Sequence, residues 1–356
     1  MKFHVVRHIS MMVLVGLLAG CGVGATSAPN ASAPTSGAET AAGPQTIVLG
    51  AYSTPREAYG KLIPMFKEQW KKQTGQDVTF QESYQGSGAQ ARAIAQGFEA
   101  DVAALSLEAD INQIIKAGLI THDWKSGPTK GMVSDSLVAF AVRKGNPKGI
   151  KDWADLSKPG VQILTPNPKT SGGAQWNILA LYGAAKRGFV DGVPKGDDAA
   201  ATTFLVSVLK NVTALDKDAR SSITNFEQGV GDVAITYENE VLVGKQNGQD
   251  YELVLPRSTI LIENPVALVD ASVQKHGNRA LVEAFINFLF SKEAQTVFAQ
   301  YGLRSVNPEV AQSTAAQYPA VPDQFTIEFF GGWKEATPAY FGDDGIFTKA
   351  IAEVQQ

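Results

Sequence analysis

From Gln45 onward, apolar positions alternate between short continuous runs and longer stretches in which they recur at helical spacing. TIVLGAY (46–52) reads as a strand, and the following REAYGKLIPMFKEQWKKQTG places Leu62, Phe66 and Trp70 one turn apart before Gly75 ends the pattern. The alternation repeats in DVTFQES (77–83) before GAQARAIAQGF, in DVAAL (101–105) before ADINQIIKAGL, and in VQILT (161–165) before GAQWNILALYGAAKRG. Strands that each lead into a helix predict α/β layers with largely parallel strands; an α+β arrangement is the alternative that spacing leaves open.

Two strings depart from this rhythm. SLVAFAVRKGNPKG (136–149) and YELVLPRSTILIENPVALVD (251–270) are extended and apolar with no helix close behind, so each is expected to carry the chain between lobes. Two crossings imply a hinged two-lobe clamshell with a ligand cleft between the lobes. The expected division puts residues 46–138 and 262–356 in the first lobe and 139–261 in the second. QGFEADVAAL from Gln96 and QGVGDVAIT from Gln228 repeat a helix end, a turn and an Asp-Val-Ala strand, which suggests that the lobes are alike. FINFLF (285–290) sits within a helical pattern and is expected in the core, not in a membrane.

The start of the chain follows another logic. Lys2 and Arg7 flank an apolar run from Ile9 to Ala19 that is too short to span a bilayer and has the form of an export signal. It ends in Leu18-Ala19-Gly20-Cys21, which resembles a bacterial lipobox and implies removal of residues 1–20 and a lipid on Cys21; a plain signal peptide with a chance cysteine is the alternative. Residues 21–45, rich in Gly, Ala, Ser, Thr and Pro, cannot bury enough apolar surface to offset their ordering and are expected to form a flexible tether. The expected product is a monomer held by its lipid in the periplasm or on the outer face of the cytoplasmic membrane.

Composition narrows the function. The 356 residues, 44% hydrophobic and 19% charged, suit an ordinary folded body. A net charge of −4, which becomes −6 once Lys2 and Arg7 leave with the signal, shows no basic excess to neutralise phosphates and argues against a nucleic acid partner. Cys21 is the sole cysteine, so no intramolecular disulfide or thiolate zinc site can form. No GxxxxGK or GxGxxG occurs, and no cofactor is indicated. Beyond the signal only His122 and His276 remain, in no metal or Ser/His/Asp pattern, which leaves an exported carboxylate-only hydrolase as the enzymatic rival.

Four helix starts carry the candidate chemistry. Thr170-Ser171-Gly172-Gly173 offers unpaired N–H groups, a hydroxyl and no bulky side chain at the positive end of a helix, a suitable cradle for an anion. SYQGSGAQ presents Ser83, Gly86, Ser87 and Gly88; LDKDARSSITNF presents Ala219, Arg220 and Ser221; and YSTPREAY presents Ser53 and Thr54 with Glu57 set to close a capping box. Each start alone also reads as an ordinary capped helix. Four at strand ends point to a shared anion pocket.

NPKTSGGA (167–174) matches a signature of the prokaryotic sulfate-binding proteins, and KKQTGQDVTFQES (71–83) resembles the other; FGGW (330–333), RKGNP (143–147) and GDVAITYENE (231–240) are similar to further family segments. The resemblance spans residues 46 to about 345. It implies a type II periplasmic-binding-protein fold and a non-enzymatic receptor that delivers sulfate to the membrane permease subunits of an ABC importer. Carried over, the ligands would be the Ser87 hydroxyl, the backbone of Ser171, Gly172 and Gly173, and the Ala219 N–H. Ser53 would stand where the family has an aspartate donating its N–H, and Tyr237 where it has tryptophan. Arg220 would organise its loop from behind, out of contact with the ion. Gln175 and Glu82 depart from the two signatures, which usually have arginine and glutamine there. Glu82, as a carboxylate acceptor, is expected to point away from the ion. Sulfate only accepts hydrogen bonds, whereas hydrogen phosphate must also donate one, so a pocket of pure donors discriminates between them. Thiosulfate, molybdate, tungstate and phosphate stay open as alternative ligands.

Overall fold

Every strand–helix pair that the alternation predicts is formed. The computed structural model describes residues 45–355; the expected signal segment, Cys21 and the tether up to residue 44 lie outside them. The first half contains β1 (Gln45–Tyr52), α1 (Arg56–Thr74), β2 (Val78–Gln85), α2 (Ser87–Ala95), β3 (Val102–Ala104), α3 (Glu108–Lys116) and the long β4 (Met132–Arg143). There follow β5 (Ile163–Pro166), α4 (Gly172–Lys186), α5 (Asp198–Leu209), β6 (Val212–Asp216), α6 (Ala219–Glu227), β7 (Val233–Tyr237), α7 (Glu238–Gln246), β8 (Tyr251–Val254) and the long β9 (Ser258–Leu268). The chain ends through α8 (Asp270–His276), α9 (Arg279–Leu289), α10 (Lys292–Gln300), α11 (Pro308–Thr314), β10 (Asp323–Phe325), α12 (Gly332–Ala336) and α13 (Ile346–Val354). Gly75 ends α1 in the left-handed region, φ 74°, where a glycine carries no Cβ penalty.

The strand order is β2-β1-β3-β9-β4-β7-β5-β6, with β8 beside β4 and β10 beside β9. β1 pairs in parallel with β2 and β3, and β5 with β6 and β7, so β2-β1-β3 and β6-β5-β7 are the same unit built twice. The sheet is mixed, not largely parallel as the sequence suggested. The passages β4 and β9 run antiparallel to each other, and also to β7 and β3. A strand that leaves one unit to enter the other has to run against the parallel strands it joins.

The echoed Asp-Val-Ala segments occupy equivalent places. Asp101 gives its N–H to the Val48 carbonyl at 2.8 Å and accepts the Val48 N–H on Oδ2 at 2.8 Å. Asp232 does the same with Gln162, at 2.8 and 2.9 Å. Each aspartate thereby fixes the edge register of its βα unit, and with it the height at which the helix starts emerge.

Two large apolar clusters lie beside these units. Tyr59, Phe66, Phe285 and Phe298 centre the one at β1–β3, and Phe140, Trp153, Trp176 and Tyr182 the one at β5–β7. Each such side chain contributes about 1.5–3 kcal/mol on burial. FINFLF supplies Phe285, Phe288 and Leu289 to the first, and among the described residues no helix is long and apolar enough to cross a membrane. After α11 the chain passes back a third time. Trp333 stands edge-on to Trp176 with centroids 4.6 Å apart, and Tyr340 edge-on to Tyr182 at 5.1 Å. A Cβ on Gly183 would collide with the Phe325 ring, which accounts for a glycine in the middle of α4. Residues 323–354 thus share their core with α4 and α5, whereas the expected division grouped everything after residue 261 with β1–β3.

Candidate functional site

The carboxyl ends of the parallel strands gather the four helix starts. Ser171 is the N-cap of α4, its Oγ accepting the Ala174 N–H at 3.4 Å, and Asp218 caps α6 by accepting from Ser221 N at 2.8 Å. Ser87, Gly172, Gly173 and Ala219 occupy first-turn positions, where no carbonyl one turn back can accept from the backbone N–H. All four are buried. At α1 the expected capping box is absent: Pro55 precedes the helix without a side-chain cap, and Glu57 turns to Arg220 instead. An ion pair with a guanidinium outweighs a local cap because it is charge-assisted and bidentate.

The starts touch one another. The Thr170 carbonyl accepts the Ala89 N–H at 3.1 Å, and a Cβ on Gly86 would stand 2.5 Å from that oxygen and 3.0 Å from the Lys217 carbonyl. Only glycine lets the three loops before α2, α4 and α6 approach so closely. Thr170 Oγ1 also donates to the Lys217 carbonyl at 2.8 Å, and Arg92 donates to the Lys169 carbonyl at 2.9 Å. A Cβ on Gly173 would lie 2.7 Å from Tyr237 Cε2 and 3.4 Å from Ala219 Cβ. Gly172 meets Ser106 in the same way, at 2.7 Å from its Oγ.

Ser106, at the end of β3, was not among the sequence candidates. Its Oγ shares a 2.6 Å hydrogen bond with Tyr237 Oη, its N–H donates to Ser87 Oγ at 2.9 Å, and its carbonyl accepts from Trp176 Nε1 and Asn264 Nδ2 at 2.9 and 3.1 Å. Asp110, also missed, accepts from Ser87 Oγ at 2.5 Å. The only signal for either was its position one strand end or one helix turn beyond β3. Burial raises the Tyr237 phenol, so that side chain stays neutral.

Arg220, in the first turn of α6, reaches across to the loop before α1. Its guanidinium donates to both Glu57 oxygens at 2.8 Å and to the Thr54 carbonyl at 3.1 Å, tying α6 to the loop that holds Ser53. Its Nε stands 3.1 Å from Glu240 Oε2, an ion-pair contact without hydrogen-bond alignment. Burial pushes the Glu240 carboxyl up to about 7 against the pull of Arg220. Glu82 lies exposed on β2 and accepts from Tyr84 Oη at 2.7 Å. Gln175 donates to the Pro168 carbonyl at 3.1 Å, within its own loop.

Ser53, Ser87, Ser171, Gly172, Gly173, Ala219 and Tyr237 thus all stand at or just beyond the carboxyl ends of β1, β2, β5, β6 and β7, where the helix starts come together. Charge-assisted hydrogen bonds contribute about 1.5–3 kcal/mol each, and each helix start about 0.3–1 kcal/mol, so such a cluster can solvate an anion without a cationic side chain in contact. A cavity of about 680 Å³ opens elsewhere, between Trp124, Arg279, Glu283, Phe290 and Pro308, and none of the four helix starts lines it. A small anion is recognised by donors aimed at one point and not by volume, so the meeting helix starts, and not this cavity, are the candidate site. Among the described residues no three His, Cys, Asp or Glu side chains are placed to hold a metal.

Residues 47–304 match the family described as bacterial extracellular solute-binding protein. The sulfate-binding protein of Synechococcus elongatus is 46% identical over 308 residues, 86% of each chain. The thiosulfate-binding protein of Escherichia coli is 40% identical over 314 residues, 86% of this chain and 91% of its own. The solved structure of the sulfate-binding protein SubI from Mycobacterium tuberculosis matches with a TM-score of 0.76 at 36% identity, over 83% of this chain and 99% of that one.

The Arg220 cluster makes a pH-dependent prediction. Glu240 holds its proton more tightly folded than unfolded, so the folded state carries the extra proton between about pH 4.5 and 7, and stability falls as pH rises through that window. Arg220→Gln removes the cation and extends the window upward. Urea unfolding is expected to show a loss of about 3–5 kcal/mol near pH 8 and a clearly smaller loss near pH 5. Equal losses at both would mean that Arg220 does not compensate Glu240.

Proposed function

The chain belongs to the bacterial extracellular solute-binding protein family, and from that premise we propose that it captures sulfate between two lobes and delivers it to the membrane subunits of an ABC importer. The observation that carries this reading is the meeting of buried, neutral helix starts from both β2-β1-β3 and β6-β5-β7 around Thr170, Gly173 and Tyr237. The sulfate-binding names of relatives at this level of identity support the choice of ligand.

In this proposal the ion takes hydrogen bonds from Ser53 and Ser87 on one side, and from Ser171, Gly172, Gly173, Ala219 and Tyr237 on the other. One lobe is built on β1–β3 with α8–α11. The other is built on β5–β7 and includes the C-terminal segment from Asp323, a boundary revised to follow the packing. β4 and β9 form the hinge, because they alone pair along their length while each end joins a different unit. Closing the lobes brings two incomplete donor sets together, and only a ligand that contacts both favours the closed form. The lipid on Cys21 and the tether of residues 21–45 keep the receptor, acting as a monomer, near its permease.

Discrimination rests on proton counting. A dianion that only accepts satisfies every donor, whereas hydrogen phosphate brings a proton that costs about 1–3 kcal/mol when it finds no acceptor. Calorimetric titration with sulfate, thiosulfate, molybdate and phosphate is expected to rank sulfate first, about 5- to 150-fold tighter than phosphate. Tighter phosphate or molybdate binding would refute the assignment, and tightest binding of thiosulfate would move it to that ion. Separately, Cys21→Ala is expected to release the protein from the membrane fraction without altering sulfate affinity. Retention on the membrane would show that something other than the lipid anchors it.

A further inference from the structure

Ser106 lies just beyond β3, fully buried, and α4 starts directly against it: a Cβ on Gly172 would stand 2.7 Å from its Oγ. The Ser106 backbone is held from three sides, with Ser87 Oγ accepting its N–H and Trp176 Nε1 and Asn264 Nδ2 donating to its carbonyl. None of these bonds uses the side chain. The hydroxyl therefore has a fixed place, and from there Oγ meets Tyr237 Oη at 2.6 Å. That bond joins the end of β3 to the end of β7, one residue from each of the two strand units.

Backbone N–H groups can only donate, whereas a phenol can both donate and accept. Burial keeps the Tyr237 phenol protonated, so both roles stay open to it. A lone pair of Oη turned toward the ion would give hydrogen phosphate the acceptor that a pocket of donors denies it. What stands behind Oη decides between the roles. Among the described residues Tyr237 is the sole hydrogen-bond partner of Ser106 Oγ, so the Ser106 proton has the phenol oxygen as its acceptor. Turning the bond round would leave a buried hydroxyl proton without one, a loss worth about 5- to 150-fold in a binding constant. The ring has no room to swing away, because Gly173 packs on it so closely that a Cβ there would lie 2.7 Å from Cε2.

Resting on the sulfate reading above, we propose that Ser106 is a positioning residue that sets specificity: it donates into Tyr237 Oη, so that the phenol presents its own proton, and no open lone pair, to the ion. The sequence of bonds from Ser106 to Tyr237 to the anion runs in one direction, and each bond polarises the next. Sulfate, which only accepts, takes the end of that chain as it stands. Hydrogen phosphate, to place its proton on Oη, has to reverse the chain and strand the Ser106 proton. Tyr237 is thereby held to the role of a pure donor by a hydroxyl from the other strand unit.

The test is a double-mutant cycle read by calorimetry with sulfate and with phosphate near pH 8, where phosphate is mainly the hydrogen phosphate dianion. Ser106→Ala removes the oxygen and leaves the three backbone bonds in place. It is expected to tighten phosphate binding and to lower the ratio of sulfate to phosphate affinity about fivefold or more, with a smaller change in sulfate affinity itself. Tyr237→Phe removes the group through which Ser106 acts, so adding Ser106→Ala to that variant is expected to leave the ratio where it is. A ratio that Ser106→Ala leaves unchanged, because both ions weaken alike or neither responds, would overturn the inference. So would a ratio that falls just as far in the Tyr237→Phe background. A wild type that binds no sulfate, or binds phosphate more tightly, would instead overturn the ligand assignment on which the inference rests.

Discussion

The structure depends on one carbonyl. Thr170 O is where the loops before α2, α4 and α6 meet, accepting the Ala89 N–H from one while the Thr170 hydroxyl reaches the Lys217 carbonyl of the other. Helix starts carry unpaired N–H groups and partial positive charge, so drawing several into one buried place is unfavourable unless something negative lies between them. One backbone oxygen satisfies one donor. The N–H groups of Gly172, Gly173 and Ala219 stand in first helical turns, and in the proposed function they are the donors left for an anionic guest.

Duplication of a simple unit puts those starts at one level. Strands β2-β1-β3 and β6-β5-β7 share order and direction, and each is pinned by an aspartate that clasps the neighbouring edge residue, Asp101 on Val48 and Asp232 on Gln162. Parallel strands present helix starts at their carboxyl ends, so two facing units bring two sets of donors together without any long loop. The passages β4 and β9 are the hinge of the proposed function, and Arg220, bonded to Glu57 and Thr54, ties the units on one side.

Much of this was legible in the sequence because glycine and serine after an apolar run mark a strand end and helix start without reference to anything distant. Gly172 and Gly173 fall in this class, and their closeness to Ser106 and Tyr237 gives the reason for glycine. What stayed hidden depends on partners far along the chain. Glu57 has the spacing of a capping box, but a guanidinium 163 residues away claims it. The aromatics from Phe325 to Tyr340 show no periodicity that reveals their packing on Trp176 and Tyr182. Ser106 and Asp110 look like an ordinary strand end and helix turn until folding sets them against Tyr237 and Ser87.

The central claim is that a doubly charged oxyanion is solvated by amides and hydroxyls belonging to both units. Crystals grown with selenate, an isosteric dianion with a strong anomalous scatterer, test it most directly. The account predicts a single strong selenium peak within hydrogen-bonding reach of the Gly172, Gly173 and Ala219 N–H groups and the Ser87 hydroxyl. A peak held instead by lysines or arginines on the surface, or by one unit alone, would contradict it.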